Sequence, residues 1–135
     1  LEVIGVLREM RQQVRLMTLV NENDLCASMC VPIYLQGDTR YAGPATSWMF
    51  HGAAKELSNI PSLPATLRYF DLFKERGVDA NFTSFLFESR YVTSPGAYWI
   101  SGYELAEKSN IITRLLPNWQ PQDPDPGPQI GFRSF

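Results

Sequence analysis

Apolar residues recur at three- and four-residue steps from Val3 to Val14 (Val3, Val6, Leu7, Met10, Val14), with Glu2, Arg8, Glu9, Arg11 and Gln12 between them. That period predicts an amphipathic helix. Leu16-Met17-Thr18-Leu19-Val20 is a short apolar run closed by the polar Asn21-Glu22-Asn23-Asp24, and it reads as a buried strand entering a loop. A helix followed by a buried strand points to a parallel α/β sheet. The segment from Cys26 to Leu35 is apolar on nearly all sides and has small residues at its start, the pattern of a helix buried between layers. Pro32 belongs in the first turns of that helix or at a distortion, because proline lacks the N–H that a helix interior needs. Gly37-Asp38 marks a turn, and Thr39 to Ala42 and Ser47 to Phe50 read as two short strands separated by Gly43-Pro44. His51-Gly52 follows directly on the second of these.

Pro61 and Pro64 precede the helical pattern Leu67, Phe70, Leu72, Phe73, which ends at Gly77, where a C-cap glycine is expected. A further helix is expected from about Ala80 to Ser89. Ser101 and Glu104 form an S-x-x-E capping box, which opens a helix running to Lys108. Ile111 to Leu115 is a last strand candidate. From Pro117 the character changes: Pro117, Pro121, Pro124, Pro126 and Pro128 fall in a stretch almost without aliphatic residues. The expectation is one α/β domain over 1–116 and an extended Pro-rich tail over 117–135. No internal repeat is visible.

Length and composition agree with one domain: 135 residues, 44% hydrophobic and 13% aromatic, are enough for a core. Twelve basic against fourteen acidic side chains leave a formal charge of -2, with neither sign gathered into a block. A nucleic-acid partner is therefore not expected. No apolar run approaches the ~18 residues of a membrane span. The chain opens on Leu1-Glu2-Val3-Ile4, without Met, a basic region or a signal-like apolar segment, which reads as an internal start. Cys26 and Cys30, the only cysteines, would be i,i+4 neighbours on a helix and read as small, reduced packing residues. A disulfide inside a helix is geometrically allowed but uncommon, so cysteine usage leaves the redox compartment open. Two cysteines and a single histidine are too few for a metal site, and no metal or other cofactor is expected.

The candidate chemistry lies between residues 25 and 52. A serine at a helix start gains from the positive end of the helix dipole and from unpaired backbone N–H groups that can hold an oxyanion. Ser28 is at such a junction. The chain's one histidine, His51, closes a nearby strand, and Gly52 beside it leaves room for the ring to face a cleft. A serine nucleophile needs such a base within hydrogen-bond reach. Trp48, Met49 and Phe50 fit either the core or a cleft wall, and the core is their ordinary place.

Leu25-Cys26-Ala27-Ser28-Met29-Cys30, then Tyr34-Leu35-Gln36-Gly37-Asp38-Thr39-Arg40-Tyr41-Ala42-Gly43-Pro44, then Met49-Phe50-His51-Gly52, resembles the core of the ClpP-like serine proteases of the ClpP/crotonase-like superfamily. The likeness is greatest to their periplasmic relatives, with a Cys-Ala-Ser-x-Cys segment, a Gly-x-x-Arg turn, a proline and a histidine in that order. Tyr98-Trp99-Ile100-Ser101 with Glu104-Leu105 and Ile111-Ile112 resembles their closing segment, so the likeness covers roughly residues 1–115. It implies an α/β domain of ClpP/crotonase-like fold with short parallel strands and flanking helices. It further implies a serine hydrolase acting on peptides, with Ser28 as nucleophile, His51 as general base and the Met29 N–H as an oxyanion-hole donor. A homo-oligomer and a periplasmic or secreted location are also implied.

Two departures matter. The family's glycine-rich oxyanion turn would fall just upstream of Leu1, making this an N-terminally truncated domain. The family's acid would fall near Val92 to Ala97, where Thr93-Ser94-Pro95-Gly96 offers no carboxylate; Glu88 is the nearest acid upstream. A backbone carbonyl or a hydroxyl such as Thr93 is left to orient His51. Two other readings stay in view: an enolate-stabilising crotonase relative, and a ClpP-like scaffold without catalysis that serves oligomerisation or partner binding.

Overall fold

The computed structural model describes residues 2–53 and 61–117. Beyond Pro117, the expected Pro-rich tail lies outside the described residues. Among those described, the elements in chain order are α1 (Glu2–Arg11), β1 (Met17–Val20), β2 (Leu25–Ala27), α2 (Cys30–Tyr34), β3 (Thr39–Ala42), β4 (Ser47–Phe50), α3 (Leu63–Glu75), α4 (Ala80–Glu88), β5 (Tyr98–Ser101), α5 (Gly102–Lys108) and β6 (Arg114–Leu115). The fold is mixed α/β, as expected. Its strands form two sheets of three: β1-β3-β6, parallel throughout, and β2-β4-β5, in which β4 runs parallel to β2 and antiparallel to β5.

The largest departure from the sequence pattern is at Cys26 to Leu35, which is not one helix. Leu25–Ala27 pairs with Ser47, Trp48 and Met49 as a strand, the chain turns at Ser28 and Met29, and only five residues form the helix α2. Ser28 has a φ of 55°, in the left-handed region, so no helix can run through it. Pro32 is the third residue of α2, inside the first turn, where its missing N–H would have had no helical partner.

Helix α1 is also turned relative to expectation. Ile4 is buried, whereas Val3, Val6 and Met10, from the apolar stripe, are exposed. The inward side is completed by Arg8, paired with Glu75, and by Arg11, which donates to Gln36 Oε1 at 3.1 Å. Arginine stems pack like apolar groups while their heads find partners, so a helix can present them to a neighbour.

A single core cluster joins both sheets to the helices. Trp48, Phe50, Cys26 and Ile100 come from β2-β4-β5, Val20 and Ala42 from β1-β3, and Tyr34, Phe73, Leu86 and Leu105 from the helices. Phe50 makes edge contacts with Phe73 and Phe82, with ring centroids 6.2 and 5.4 Å away. This fixes the end of β4, and His51 is the next residue. Met49, between Trp48 and Phe50, points to the opposite face and is half-buried, so of these three only Met49 is away from the core.

Helix α3 ends as its glycine predicts. Gly77, with φ of 72°, donates to the Lys74 carbonyl and Val78 to the Phe73 carbonyl, the paired bonds of a Schellman motif. At α5 half of the expected capping box forms: Ser101 Oγ accepts from the Glu104 N–H at 3.2 Å, while the Glu104 carboxylate lies 3.7 Å from Lys108 Nζ.

Candidate functional site

The turn that breaks the predicted helix sets the site. Ser28 leaves β2 in a conformation that costs a non-glycine residue about 1–2 kcal/mol, and several contacts hold it there. Its N–H donates to the Met49 carbonyl across the sheet at 3.1 Å, and its carbonyl accepts from the Val31 N–H at 3.1 Å and from Tyr69 Oη at 2.6 Å. The two cysteines bracket it. Cys26 and Cys30 form a disulfide, with Cα atoms 5.3 Å apart. This corrects the expectation of two reduced packing residues. The objection to a disulfide was that of a continuous helix, and a strand–turn–helix brings the two Cβ atoms together instead.

Strand β4 delivers His51 beside this turn, because β2 and β4 pair in parallel with Ala27 opposite Met49. One residue beyond that pair stands Ser28; two beyond it stands His51. Ser28 Oγ and His51 Nε2 are 2.8 Å apart. His51 Nδ1 lies 2.7 Å from the Gly52 carbonyl oxygen. A carbonyl can only accept, so Nδ1 carries the proton, Nε2 of the neutral ring is bare, and the Ser28 hydroxyl donates to it. This tautomer is the one a general base needs.

The predicted residues Ser28 and His51 are therefore brought together. Met29 follows Ser28 in the turn, and its N–H donates to no acceptor among the described residues. Helix α2 is too short to carry much of a dipole, so any oxyanion stabilisation at this end comes from individual N–H groups. Neither Glu88 nor Thr93 hydrogen-bonds His51: both are exposed, Glu88 at the end of α4. Among the described residues no carboxylate pairs with His51, and the partner of its Nδ1 is the Gly52 carbonyl.

Gly52 has a reason beyond leaving the ring free. A Cβ on it would stand 2.1 Å from the Val92 carbonyl oxygen and 2.7 Å from Pro61 Cβ. Only glycine admits that approach.

No family model matches the chain, and no curated protein matches its sequence. Among solved structures it is similar to an asparagine-to-aspartate mutant of ClpP1 from Listeria monocytogenes, at 17% identity and a TM-score of 0.44, over 87% of this chain and 67% of that one. At that level the likeness decides nothing about chemistry, which has to be read from the site itself.

Sequence reasoning missed two residues at the site, Thr66 and Tyr69 of α3. Tyr69 is the donor to the Ser28 carbonyl, and Thr66 Oγ1 accepts from the Ala53 N–H at 3.0 Å. Burial pushes the Tyr69 phenol well above its usual range, so it stays a donor. The signal was available: two hydroxyls at i,i+3 on the apolar face of a helix, where neither is needed for packing.

Arg40, of the Gly-x-x-Arg turn, is structural. Its side chain is buried and donates to the carbonyls of Ile111 at 2.6 Å, Asn110 at 2.7 Å and Gly37 at 3.2 Å. Burial lowers its pKa from the usual arginine value.

Proposed function

We propose that the chain is a serine hydrolase of ClpP-like type, with Ser28 as nucleophile, His51 as general base and the Met29 N–H as an oxyanion donor. The observation that carries this reading is the 2.8 Å contact between Ser28 Oγ and His51 Nε2, with the opposite ring nitrogen bound to a carbonyl. Ser28 Oγ attacks a carbonyl carbon as its proton passes to His51 Nε2, and the tetrahedral oxyanion is met by the Met29 N–H. His51 then gives that proton to the leaving group, and water repeats the sequence on the acyl-serine. The Gly52 carbonyl orients the imidazole and offsets part of the imidazolium charge, more weakly than a carboxylate would.

A peptide substrate, a ClpP/crotonase-like fold and a homo-oligomeric assembly are proposed on the motif resemblance. The Cys26–Cys30 disulfide supports an oxidising compartment, periplasmic or secreted. No helix among the described residues is long and apolar enough to cross a membrane.

The test is covalent labelling with a fluorophosphonate and mass mapping of the adduct, on this chain and on one extended upstream. Label on Ser28 that vanishes in Ser28→Ala and falls steeply in His51→Ala supports the reading. No label on either chain sinks it. One observation favours a second reading, a scaffold that has lost catalysis: among the described residues the partner of His51 Nδ1 is a neutral carbonyl. Unlabelled but folded protein that self-associates supports that one.

A further inference from the structure

One face of α3 makes hydrogen bonds on both sides of the Ser28–His51 pair. Tyr69 Oη donates to the Ser28 carbonyl at 2.6 Å, and Thr66 Oγ1, one helical turn earlier, accepts from the Ala53 N–H at 3.0 Å. Both side chains are buried, Thr66 completely. Residues three apart on a helix share a face, so one rigid element touches the backbone at the nucleophile and two residues after the base.

The bond from Tyr69 acts on a peptide plane. The Ser28 carbonyl and the Met29 N–H belong to one planar trans unit and point in opposite directions. Tyr69 and the Val31 N–H both direct that carbonyl inward. Turning the carbonyl inward turns the Met29 N–H outward, to the side from which an acyl group would approach Ser28. The site around Tyr69 would accept a phenylalanine: Phe70 and Phe73 lie with ring centroids 5.0 and 5.1 Å away. A buried hydroxyl there adds a desolvation cost that packing alone does not require, and its partner is the carbonyl of the one residue in the turn with positive φ.

We propose that Thr66 and Tyr69 are positioning residues: Tyr69 holds the Ser28–Met29 peptide so that nucleophile and oxyanion donor face the same side, and Thr66 holds the chain behind His51 so that its ring reaches Ser28. The consequence for rate rests on the hydrolase reading; the placement of the ring does not.

Because His51 is the chain's only histidine, selective 15N-histidine labelling gives one pair of ring-nitrogen resonances. These report the tautomer and the Ser28 hydrogen bond without any turnover. The variants are Tyr69→Phe, Thr66→Val and Thr66→Ser, with Ile111→Val as a core change away from the site, each measured well below its unfolding temperature.

In Tyr69→Phe the Nε2 resonance is expected to move as the Ser28 bond weakens, and fluorophosphonate labelling to slow roughly three- to tenfold, the size of one lost hydrogen bond. Thr66→Val is expected to move both ring resonances, and Thr66→Ser to restore them. Ile111→Val is expected to leave ring signals and labelling as they were. If neither the wild-type chain nor one extended upstream takes label but the ring resonances respond in this way, the hydrolase reading fails and the positioning role stands. Folded Tyr69→Phe and Thr66→Val with wild-type ring resonances overturn the proposal. Should Tyr69→Phe not fold, the Thr66→Val and Thr66→Ser pair decides: equal spectra for the two overturn it.

Discussion

At the residue scale the site depends on atoms that carry no side-chain chemistry. The Gly52 carbonyl fixes the histidine tautomer, and the missing Cβ of Gly52 lets the Val92 carbonyl come close. Gly52→Ala is therefore expected to act on stability and on the dyad together. A methyl group 2.1 Å from a backbone oxygen must displace either Val92 or the His51–Gly52 segment. Overpacking of this kind costs about 1–3 kcal/mol. Urea unfolding measures that loss, and Ser28 labelling at full folding is expected to be slower as well. Wild-type stability in Gly52→Ala would mean that the approach of Val92 is not a constraint. Ser28 and His51 were legible in the sequence because each is chemically distinctive and lies in an ordered motif. The Gly52 carbonyl as partner was legible only as a class, since every residue has a carbonyl and no sequence says where it points.

At the element scale the informative failure is Cys26 to Leu35. An apolar run reads the same as a buried strand or a buried helix, and periodicity cannot separate them when the run is short. The break at Ser28 comes from pairing of β2 with β4, a long-range contact, and from the disulfide that closes the turn. That disulfide predicts an outcome: reduction with a dithiol is expected to lower unfolding stability by ~2 kcal/mol, the loop-entropy value for so short a ring. Unfolding curves with and without reductant measure it, and a thiol assay on the unreduced, unfolded protein is expected to find no free cysteine. Unchanged stability on reduction would show that the turn is held by its hydrogen bonds alone.

Arg40 makes the matching case between strands. It ties β3 to the segment before β6 through the Ile111 and Asn110 carbonyl oxygens, and the same side chain reaches the Gly37 carbonyl just before its own strand. Arg40→Met leaves the Ile111 and Asn110 carbonyls without that donor, while Gly37 keeps a contact from Arg76 Nη2 at 3.4 Å, and the expected loss is about 2–4 kcal/mol. Arg40→Lys is expected to recover only part of it, because an ammonium lacks the planar fork that serves several acceptors at once. Equal stability of Lys and Arg at this position, by urea unfolding, would count against the fork.

At the scale of the whole molecule β1, β3, β4 and most helices were legible one at a time, whereas β2 read as part of a helix, β5 was not read as a strand, and the division into two sheets was not legible. Thr39–Ala42 and Ser47–Phe50 look alike in sequence, yet one joins β1 and β6 and the other β2 and β5. What joins the two sheets is the core between them, and two of its tyrosines bind backbone from within it. Tyr34 Oη donates to the Tyr41 carbonyl on β3 at 2.9 Å, and Tyr69 Oη to the Ser28 carbonyl beyond β2. Burial raises both phenols far above their ordinary value, with Arg40 opposing this slightly at Tyr34.

The sign of the resulting pH dependence follows from linkage. In the unfolded chain both phenols lose their protons near pH 10, while in the folded protein they keep them. Above that pH the folded state binds more protons than the unfolded one, so stability falls as pH rises. Stability is therefore fully present below about pH 10 and declines above it, by about 1.4 kcal/mol per pH unit for each tyrosine once the unfolded phenols are ionised. Urea unfolding at pH 9, 10, 11 and 11.5, the last about 1.5 units above the unfolded phenol value, reads this slope. Tyr69→Phe removes one contribution and is expected to halve the slope, with a lower stability at pH 9 from the lost hydrogen bond. A wild-type profile flat to pH 11.5 would mean that water reaches both hydroxyls, and the seam between the sheets would then be looser than its burial indicates.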